Sequence, residues 1–384
     1  MYWQNAGFRE ELKSRKNNPL MLFNSTFFLI LVYLKKHSLR LVLLEHFVLR
    51  KPALRQYFFV TCNLTKTACM KEIFKTFIIF LFIISCASNS KIENGNYTEK
   101  IDDLNINFTV KGKGPIMIVG HPSSGKIGYE MTLKPLEESF TMVYYDSRGI
   151  GKSETPKKLE DYSAKNSVKE IELLREKLGV KKIWLFGHSD QSAIALQYAV
   201  EYPKNISGII LSGTSYVGSQ NESIERRKTS ENKRIKESKW FAKVIEDWDY
   251  MIENNTTFDK NGNDISTART KWWTYDEETA QKVIPIVKEI TKVGRRKPIG
   301  NNYYQETPEE RQKYLEFQKK FKDLKTKILI INGKYDTNNL PEFATELHFR
   351  LQNSKLVFID KAGHFPWIEQ SEQSFTEIKK WLRE

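Results

Sequence analysis

The sequence predicts an α/β fold: a mostly parallel sheet flanked by helices, with an inserted helical cap. In the second part of the chain, short runs rich in Ile and Val alternate with helical stretches, which is typical of a parallel sheet. Residues 116–119 and 328–331 are entirely apolar, as strands buried on both faces should be. The alternation stops over 213–323, a length that favours a helical cap over a structureless loop. The core is therefore expected to comprise residues 86–212 and 324–384.

Seven strands and four helices are predicted in this order along the chain. The helix over 166–178 has apolar residues at helical spacing and ends at Gly179, and Pro203 ends the next one. The other predicted helices cover 341–351 and 371–382. The predicted strands are Ile106–Val110, Ile116–Gly120, Thr141–Tyr145, Lys182–Phe186, Gly208–Ser212, Lys327–Asn332 and Lys355–Ile359.

The positive charge of the chain does not indicate a nucleic-acid partner. Of the formal net charge of +14, +9 lies in residues 1–85, and the remaining +5 is spread among many acidic residues. The three cysteines are Cys62, Cys69 and Cys86, so the chain downstream of them has neither a disulfide framework nor a cysteine-ligated metal site.

Residues 70–85 predict a secretory signal peptide. They contain lysines near the start, a short apolar run over 77–84 and small residues at the end. The run is too short for a transmembrane helix. Since a complete signal begins at Met70, translation is expected to start there, and residues 1–69 are then an upstream extension outside the working protein. The alternative is a hydrophobic membrane anchor over 20–48.

Cys86 directly follows this apolar run and precedes a polar stretch over 88–91. This arrangement resembles a bacterial lipoprotein signal, although Ile83-Ile84-Ser85 lacks the usual leucine and the small residue two before the cysteine. The resemblance implies an exported protein held at a membrane of the bacterial cell envelope by lipid on Cys86. The alternatives are a cysteine that merely lies near a cleavage site, or an uncleaved anchor.

The sequence Gly-His-Ser-Asp-Gln at 187–191 follows a predicted strand and opens a predicted helix. A nucleophile elbow requires this context, because the sharp turn exposes the serine hydroxyl above the sheet edge. Ser189 is the candidate nucleophile. Gln191 replaces the second small residue of the motif, so the elbow pattern is incomplete.

His364 and Asp336 are the candidate partners of Ser189. His364 follows the last predicted strand, at the sheet edge from which a general base for the serine has to come. Asp336 follows the strand before it, which gives the chain order Ser, Asp, His of the elbow fold. Its carboxylate would orient the imidazole. Asp360 is the competing acid, but it directly follows the last strand and lies only four positions before the histidine.

The oxyanion hole is expected from two backbone N–H groups. Asp190 follows the nucleophile and supplies one of them. The segment His-Pro-Ser-Ser-Gly at 121–125 follows a predicted strand and supplies the other. Since Pro122 has no N–H, Ser123 is the predicted donor.

Four segments together resemble the α/β-hydrolase superfamily, and within it the proline iminopeptidase-like branch, over residues 100–384. The segments are His-Pro-Ser-Ser-Gly at 121–125, Asp-Ser-Arg-Gly-Ile-Gly-Lys-Ser at 146–153, Glu-Ile-Glu-Leu-Leu-Arg-Glu-Lys-Leu-Gly at 170–179 and Gly-His-Phe-Pro-Trp-Ile-Glu-Gln at 363–370. The resemblance implies a Ser-His-Asp hydrolase with a cap over its pocket and no cofactor. Pro122 and Gln191 depart from the pattern of the branch.

The expected function is hydrolysis of an ester or amide through an acyl-enzyme, with a small molecule or short peptide as substrate. A proline iminopeptidase-like peptidase and a carboxylesterase are both open. Acidic residues beside Trp248, namely Glu246, Asp247 and Asp249, are candidates for binding a substrate amine. Haloalkane dehalogenases and epoxide hydrolases are excluded because their nucleophile is an aspartate. The alternative from another class is a non-catalytic surface lipoprotein that binds a ligand.

Overall fold

A computed structural model describes residues 20–24, 28–35, 38–45, 58–62, 92–214, 220–293, 297–299, 302 and 305–384. The chain divides into two compact units, Met1–Ser90 and Lys91–Glu384. The predicted signal peptide over 70–85 and the candidate lipidation site Cys86 lie outside the described residues.

The first unit contains a four-stranded antiparallel sheet in the order β1-β2-β3-β4. Its strands are β1 (Leu20–Asn24), β2 (Phe28–Lys35), β3 (Ser38–Glu45) and β4 (Phe58–Cys62). The sequence pattern does not predict these strands, because their apolar runs lack the polar alternation of a half-exposed sheet. Among the residues with a described placement, no helix is both long and apolar enough to cross a membrane.

The second unit is built on an eight-stranded sheet in the order β12-β11-β10-β9-β7-β8-β6-β5. The strands are β5 (Gly95–Ile101), β6 (Leu104–Gly112), β7 (Ile116–Val119), β8 (Thr141–Tyr145), β9 (Ile183–His188), β10 (Ile206–Ser212), β11 (Lys327–Gly333) and β12 (Ser354–Ile359). The pairs β5–β6 and β6–β8 are antiparallel and the other neighbours are parallel. The mostly parallel sheet is therefore confirmed.

All seven predicted strands are present, with ends within two residues of the predicted ones. The eighth strand of the sheet, β5, is not predicted by the sequence pattern. Its residues alternate between partly buried and exposed positions at the edge of the sheet, so it lacks the apolar run that marks the buried strands.

Helices cover both faces of this sheet. They are α1 (Ile127–Thr132), α2 (Ala164–Lys177), α3 (Asp190–Glu201), α4 (Gln220–Glu237), α5 (Lys239–Glu253), α6 (Ala268–Trp272), α7 (Glu277–Val293), α8 (Pro308–Phe317), α9 (Pro341–Arg350), α10 (Pro366–Glu369) and α11 (Ser371–Arg383). Helices α2, α3 and α9 pack on one face, and α1, α10 and α11 pack on the other.

Successive strand residues divide between these two layers. In β11, Ile328 and Ile330 belong to one apolar cluster, whereas Leu329 and Ile331 belong to the other. This follows from the two-residue period of a strand, which directs neighbouring side chains to opposite faces. The strands need continuous apolar runs because both faces of the sheet are covered. Packing of these runs holds the strand ends, and the loops that follow them, in fixed positions.

Helices α4 to α8 occupy the interval between β10 and β11, where the helical cap is predicted. The cap has a small apolar cluster of its own, formed by Phe241, Val244 and Trp272 with Trp240 and Trp248 beside it. The end of the interval returns to the main core, because Phe321 is fully buried in the cluster beneath α3.

Candidate active site

Ser189 lies at the turn between β9 and α3, at the carboxyl edge of the sheet. Its backbone has φ 51° and ψ −125°, a conformation that a non-glycine residue rarely adopts and that costs free energy. The Ser189 N–H donates to the Ser212 carbonyl at the end of β10, 3.1 Å away. A Cβ on Gly187 would lie only 3.0 Å from the Ser192 Cα, so the turn needs a small residue at that position. The sequence therefore folds locally as a nucleophile elbow.

Gln191, which replaces the second small residue of the elbow motif, is accommodated within the fold. Its side chain is buried, and the helix that follows Ser189 runs without interruption to Glu201. The departure from the motif therefore leaves the geometry of the turn intact.

Asp336 and His364 are brought together on the neighbouring loops. His364 Nδ1 and Asp336 Oδ2 are 2.8 Å apart, and both side chains are almost completely buried. The other carboxylate oxygen of Asp336 accepts the N–H groups of Asn338 and Asn339 at 2.9 and 2.8 Å. The competing acid, Asp360, instead pairs with Lys334 on the surface. The structure thus brings Asp336, rather than Asp360, to the histidine.

The strand β10 connects this pair with the serine. Ser212, at the end of β10, accepts the N–H of Ser189, and the next residue, Gly213, lies against the imidazole of His364. A Cβ on Gly213 would be 3.0 Å from His364 Nδ1 and Cε1, so only glycine lets the ring come this close. Serine, aspartate and histidine therefore converge on one edge of the sheet.

His188 forms a hydrogen bond with the backbone of His364. Its Nε2 is 3.1 Å from the His364 carbonyl, and its Nδ1 is 3.0 Å from the Tyr129 hydroxyl. Since a carbonyl only accepts, Nε2 carries the proton and Nδ1 accepts from Tyr129. Burial, then the nearby His364 and His121, hold the pKa of His188 well below its usual value, so this ring stays neutral.

The predicted oxyanion donors differ in their surroundings. Asp190 is the first residue of α3, and its N–H is one of those that have no acceptor within the helix. The Ser123 N–H donates to His121 Nδ1 at 3.1 Å. Ser123 would therefore have to exchange this bond for a substrate oxygen before it could act as predicted. Pro122 does not prevent the loop from turning, because the Gly125 N–H closes it on the His121 carbonyl.

Glu369 is a buried residue of the site that the sequence reasoning did not single out. Its carboxylate accepts the N–H groups of Gly363 and Phe365, on either side of His364, and of Tyr275 in the cap. Burial raises its pKa to about 7, against these backbone hydrogen bonds. The sequence shows an acidic residue five positions after the histidine, but its burial and its partners depend on the tertiary fold.

The acidic residues proposed for amine binding lie on an exposed face of α5. Lys243 pairs with Asp247 at 2.8 Å and with Glu246 at 3.2 Å, and Asp249 is exposed. Glu246 and Asp249 are therefore solvated, and Asp247, which is partly buried, is paired with Lys243. Within the described part of the chain, no group of three or more His, Cys, Asp or Glu side chains is arranged to hold a metal ion.

Comparison with known proteins identifies the family of the fold. A family model described as the alpha/beta hydrolase fold matches residues 116–371. A proline iminopeptidase of Clostridium botulinum is 27% identical over 279 residues, covering 70% of this chain and 90% of that protein. A proline iminopeptidase of Lactobacillus crispatus is 28% identical, with the same coverage of both chains.

Solved structures show the same fold at lower identity. An alpha/beta fold family hydrolase from Bacillus anthracis is 19% identical, with a TM-score of 0.53, and covers 75% of this chain and 99% of its own. A thermophilic esterase from Thermogutta terrifontis is 20% identical, with a TM-score of 0.50, and covers 76% of this chain and 98% of its own.

Proposed function

The chain belongs to the alpha/beta hydrolase family, and we propose that it is a serine hydrolase that cleaves an ester or amide bond through an acyl-enzyme. The observation that carries the proposal is the buried 2.8 Å contact between His364 and Asp336, beside a serine held at a strained strand-to-helix turn. An isolated serine at a helix start is commonly only a cap, whereas this combination is the arrangement of a nucleophile, its base and an orienting acid.

In the proposed reaction, Ser189 Oγ attacks the scissile carbonyl carbon and its proton passes to His364 Nε2. The negative charge on the carbonyl oxygen is stabilised by backbone N–H groups, for which Asp190 and Ser123 are our candidates. The bond to the leaving group then breaks, and that group takes the proton from His364. Water attacks the acyl-enzyme in the same way, with His364 as base, and releases the acid and free Ser189.

Asp336 has two tasks in this scheme. One carboxylate oxygen accepts the His364 Nδ1–H, so that Nε2 is left unprotonated and faces away from the aspartate. The other oxygen is fixed by the Asn338 and Asn339 N–H groups, which prevents the carboxylate from rotating. The negative charge then stabilises the imidazolium that forms in each transition state.

We propose that the activity is that of a proline iminopeptidase-like aminopeptidase. Its substrate would be a short peptide or a small aminoacyl compound. The curated relatives named proline iminopeptidase support this choice. The pairing of Glu246 and Asp247 with Lys243 does not, because it leaves those residues engaged on a solvated face. A carboxylesterase is therefore the second candidate. Formation of the strand-to-helix turn with Gln191 in place supports the catalytic proposal over the non-catalytic alternative.

A panel of aminoacyl-arylamides, proline included, and short-chain esters tests the proposal. We expect hydrolysis of one substrate class by the wild-type protein and its loss in Ser189→Ala, because that variant lacks the nucleophile. Preference for prolyl-arylamide would favour the peptidase, and preference for esters would favour the esterase. Hydrolysis by Ser189→Ala at the wild-type rate would contradict the mechanism.

We also propose that the protein is exported and held at a membrane by lipid on Cys86, with residues 1–69 outside the working protein. The support is the sequence pattern of 70–86. Intact mass of the protein purified from membranes should fit a chain that begins at Cys86 and carries acyl groups, and Cys86→Ser should be released in soluble form. A mature chain that begins far upstream of Met70 would contradict this proposal.

A further inference from the structure

We infer that Glu369 is a positioning residue for His364, and that it acts together with the cap segment 273–275 as a clamp on the histidine loop. The inference deepens the proposed function and rests on it. A carboxylate that touches neither serine nor substrate would then control the reaction rate by holding the general base in place.

The first support is the way Glu369 brackets the histidine. Oε2 of Glu369 accepts the Gly363 N–H at 2.9 Å, and Oε1 accepts the Phe365 N–H at 3.0 Å. These are the residues directly before and after His364. Asp336 fixes the histidine ring at Nδ1, and Glu369 fixes the backbone on both sides of the histidine. The orientation of Nε2 is therefore determined.

The second support is that the cap completes the arrangement. Oε2 of Glu369 also accepts the Tyr275 N–H at 2.9 Å, and the His364 N–H donates to the Trp273 carbonyl at 2.7 Å. The backbone of the cap therefore contacts both the histidine and the carboxylate that brackets it. A displacement of segment 273–275 would move the general base directly.

The close approach of these segments depends on Gly363. A Cβ at this position would lie 2.2 Å from the Trp273 carbonyl oxygen and 3.0 Å from the Thr274 Cα. Both neighbours are backbone atoms, so they cannot be moved aside as a flexible side chain can. The glycine before the histidine is thus required by contact with the cap.

Arg234 of helix α4 holds the other side of segment 273–275. Its guanidinium donates to the carbonyls of Thr274 and Tyr275, and to the Tyr335 carbonyl directly before Asp336. This buried arginine therefore joins the cap to the loop of the acid, as Glu369 joins it to the loop of the base. Together the two charged residues hold both loops against one cap segment.

A carboxylate suits this position better than an amide. Three N–H groups converge on Glu369, and two carboxylate oxygens can accept all of them. In Glu369→Gln, one oxygen can still accept two of the N–H groups, but the new N–H₂ group faces the third. A donor opposite a donor in a buried site removes a hydrogen bond and pushes the loop apart.

The test compares Glu369→Gln and the milder Glu369→Asp with Glu170→Gln as a matched control. Glu170 is also fully buried with a pKa raised to about 7 by burial, but it pairs with Arg148, whose other hydrogen bonds go to the Asp161 and Asn166 carbonyls. The measurement is made at pH 8, above the pKa near 7, so that Glu369 is ionised. It comprises the rate of labelling by a fluorophosphonate probe per folded molecule and kcat and KM for the best substrate of the panel. Thermal unfolding checks that each variant is folded.

We expect a labelling rate and kcat lower by on the order of 100-fold in Glu369→Gln, because a displacement of about 1 Å suffices for such a loss. KM should change little, Glu369→Asp should be intermediate, and Glu170→Gln should label at the wild-type rate. Equal labelling of wild type, both Glu369 variants and Glu170→Gln would overturn the inference about Glu369 and leave the proposed function standing. Absence of labelling in the wild type would instead overturn the proposed function, and this inference with it.

Discussion

Two buried glutamates of similar pKa differ in what holds them. Glu170 lies on α2 and pairs with the side chain of Arg148, whose Nε is 3.0 Å from its carboxylate. Glu369 is instead held by three backbone N–H groups, those of Gly363, Phe365 and Tyr275. Burial raises the pKa of both carboxyl groups to about 7.

The difference shows that a raised pKa does not by itself mark a functional residue. The Arg148–Glu170 pair fixes a turn, since Arg148 also donates to the carbonyls of Asp161 and Asn166. Glu369 fixes the loop of a candidate general base. We therefore expect changes around Glu170 to affect the stability of the fold, and changes around Glu369 and His364 to affect the rate of the reaction.

The largest effect in the histidine region is expected for Asp336→Asn. The amide cannot accept the His364 N–H while keeping both loop hydrogen bonds in place, so the wrong imidazole tautomer is favoured. We expect kcat to fall by about 10⁴-fold, with a far smaller change in KM. Steady-state kinetics on the best panel substrate measure it. A decrease similar to that of Asp360→Asn, which changes a surface residue, would contradict the assignment of the acid.

In the turn region the expected effect is on stability. Arg148→Ala leaves Glu170 buried without its partner, which above pH 7, where the carboxyl group is ionised, costs roughly 3–5 kcal/mol of unfolding free energy. The labelling rate per folded molecule should stay at the wild-type value. Urea unfolding with parallel probe labelling measures both quantities. A specific loss of labelling without loss of stability would break the distinction between the two regions.

A smaller effect on rate is expected for His188→Phe. This change removes the hydrogen bond to the His364 carbonyl and the acceptor of the Tyr129 hydroxyl. The contact of His364 with Asp336 remains, so we expect a loss of about tenfold in kcat rather than the larger loss of a displaced base. The control is His348→Phe, which changes a histidine bonded to Ser354 away from the site. Equal kcat in the two variants would remove His188 from the account.

The last expected effect is a dependence of stability on pH. The folded protein holds protons on Glu170 and Glu369 up to about pH 7, whereas an exposed glutamate releases its proton near pH 4.5. The folded state therefore binds more protons in this window, and the free energy of unfolding falls as the pH rises from 4.5 to 7. Thermal unfolding across that range should show a weaker dependence in Glu170→Gln and in Glu369→Gln. Slopes identical to wild type would contradict the raised pKa values.

The sequence pattern predicts those features that depend on local order along the chain. Buried strands such as β7 and β11 are recognisable because parallel strands covered on both faces must be continuously apolar. The positions of Asp336 and His364 follow from the ends of successive strands, which meet at one edge of the sheet. The fold class and these strands are confirmed by the structure. The catalytic roles of Asp336 and His364 stay a prediction.

Features that depend on contact between distant segments are not predictable in this way. Strand β5 needs β6 as its neighbour, and its own alternating residues resemble a polar loop. The partners of Glu369 come from the histidine loop and from the cap, about 90 residues away along the chain. The hydrogen bond between Ser123 and His121 likewise depends on the exact path of a turn, which motif comparison does not provide.

Labelling with a fluorophosphonate probe, followed by mass spectrometry of the modified peptide, tests the central claim most directly. A strained serine beside a buried histidine–aspartate pair should react, and the adduct should lie on Ser189 in the peptide that spans the elbow. Ser189→Ala should not be labelled, although it keeps the fold. No labelling of folded wild-type protein, or equal labelling of Ser189→Ala, would contradict the account of this chain as a serine hydrolase.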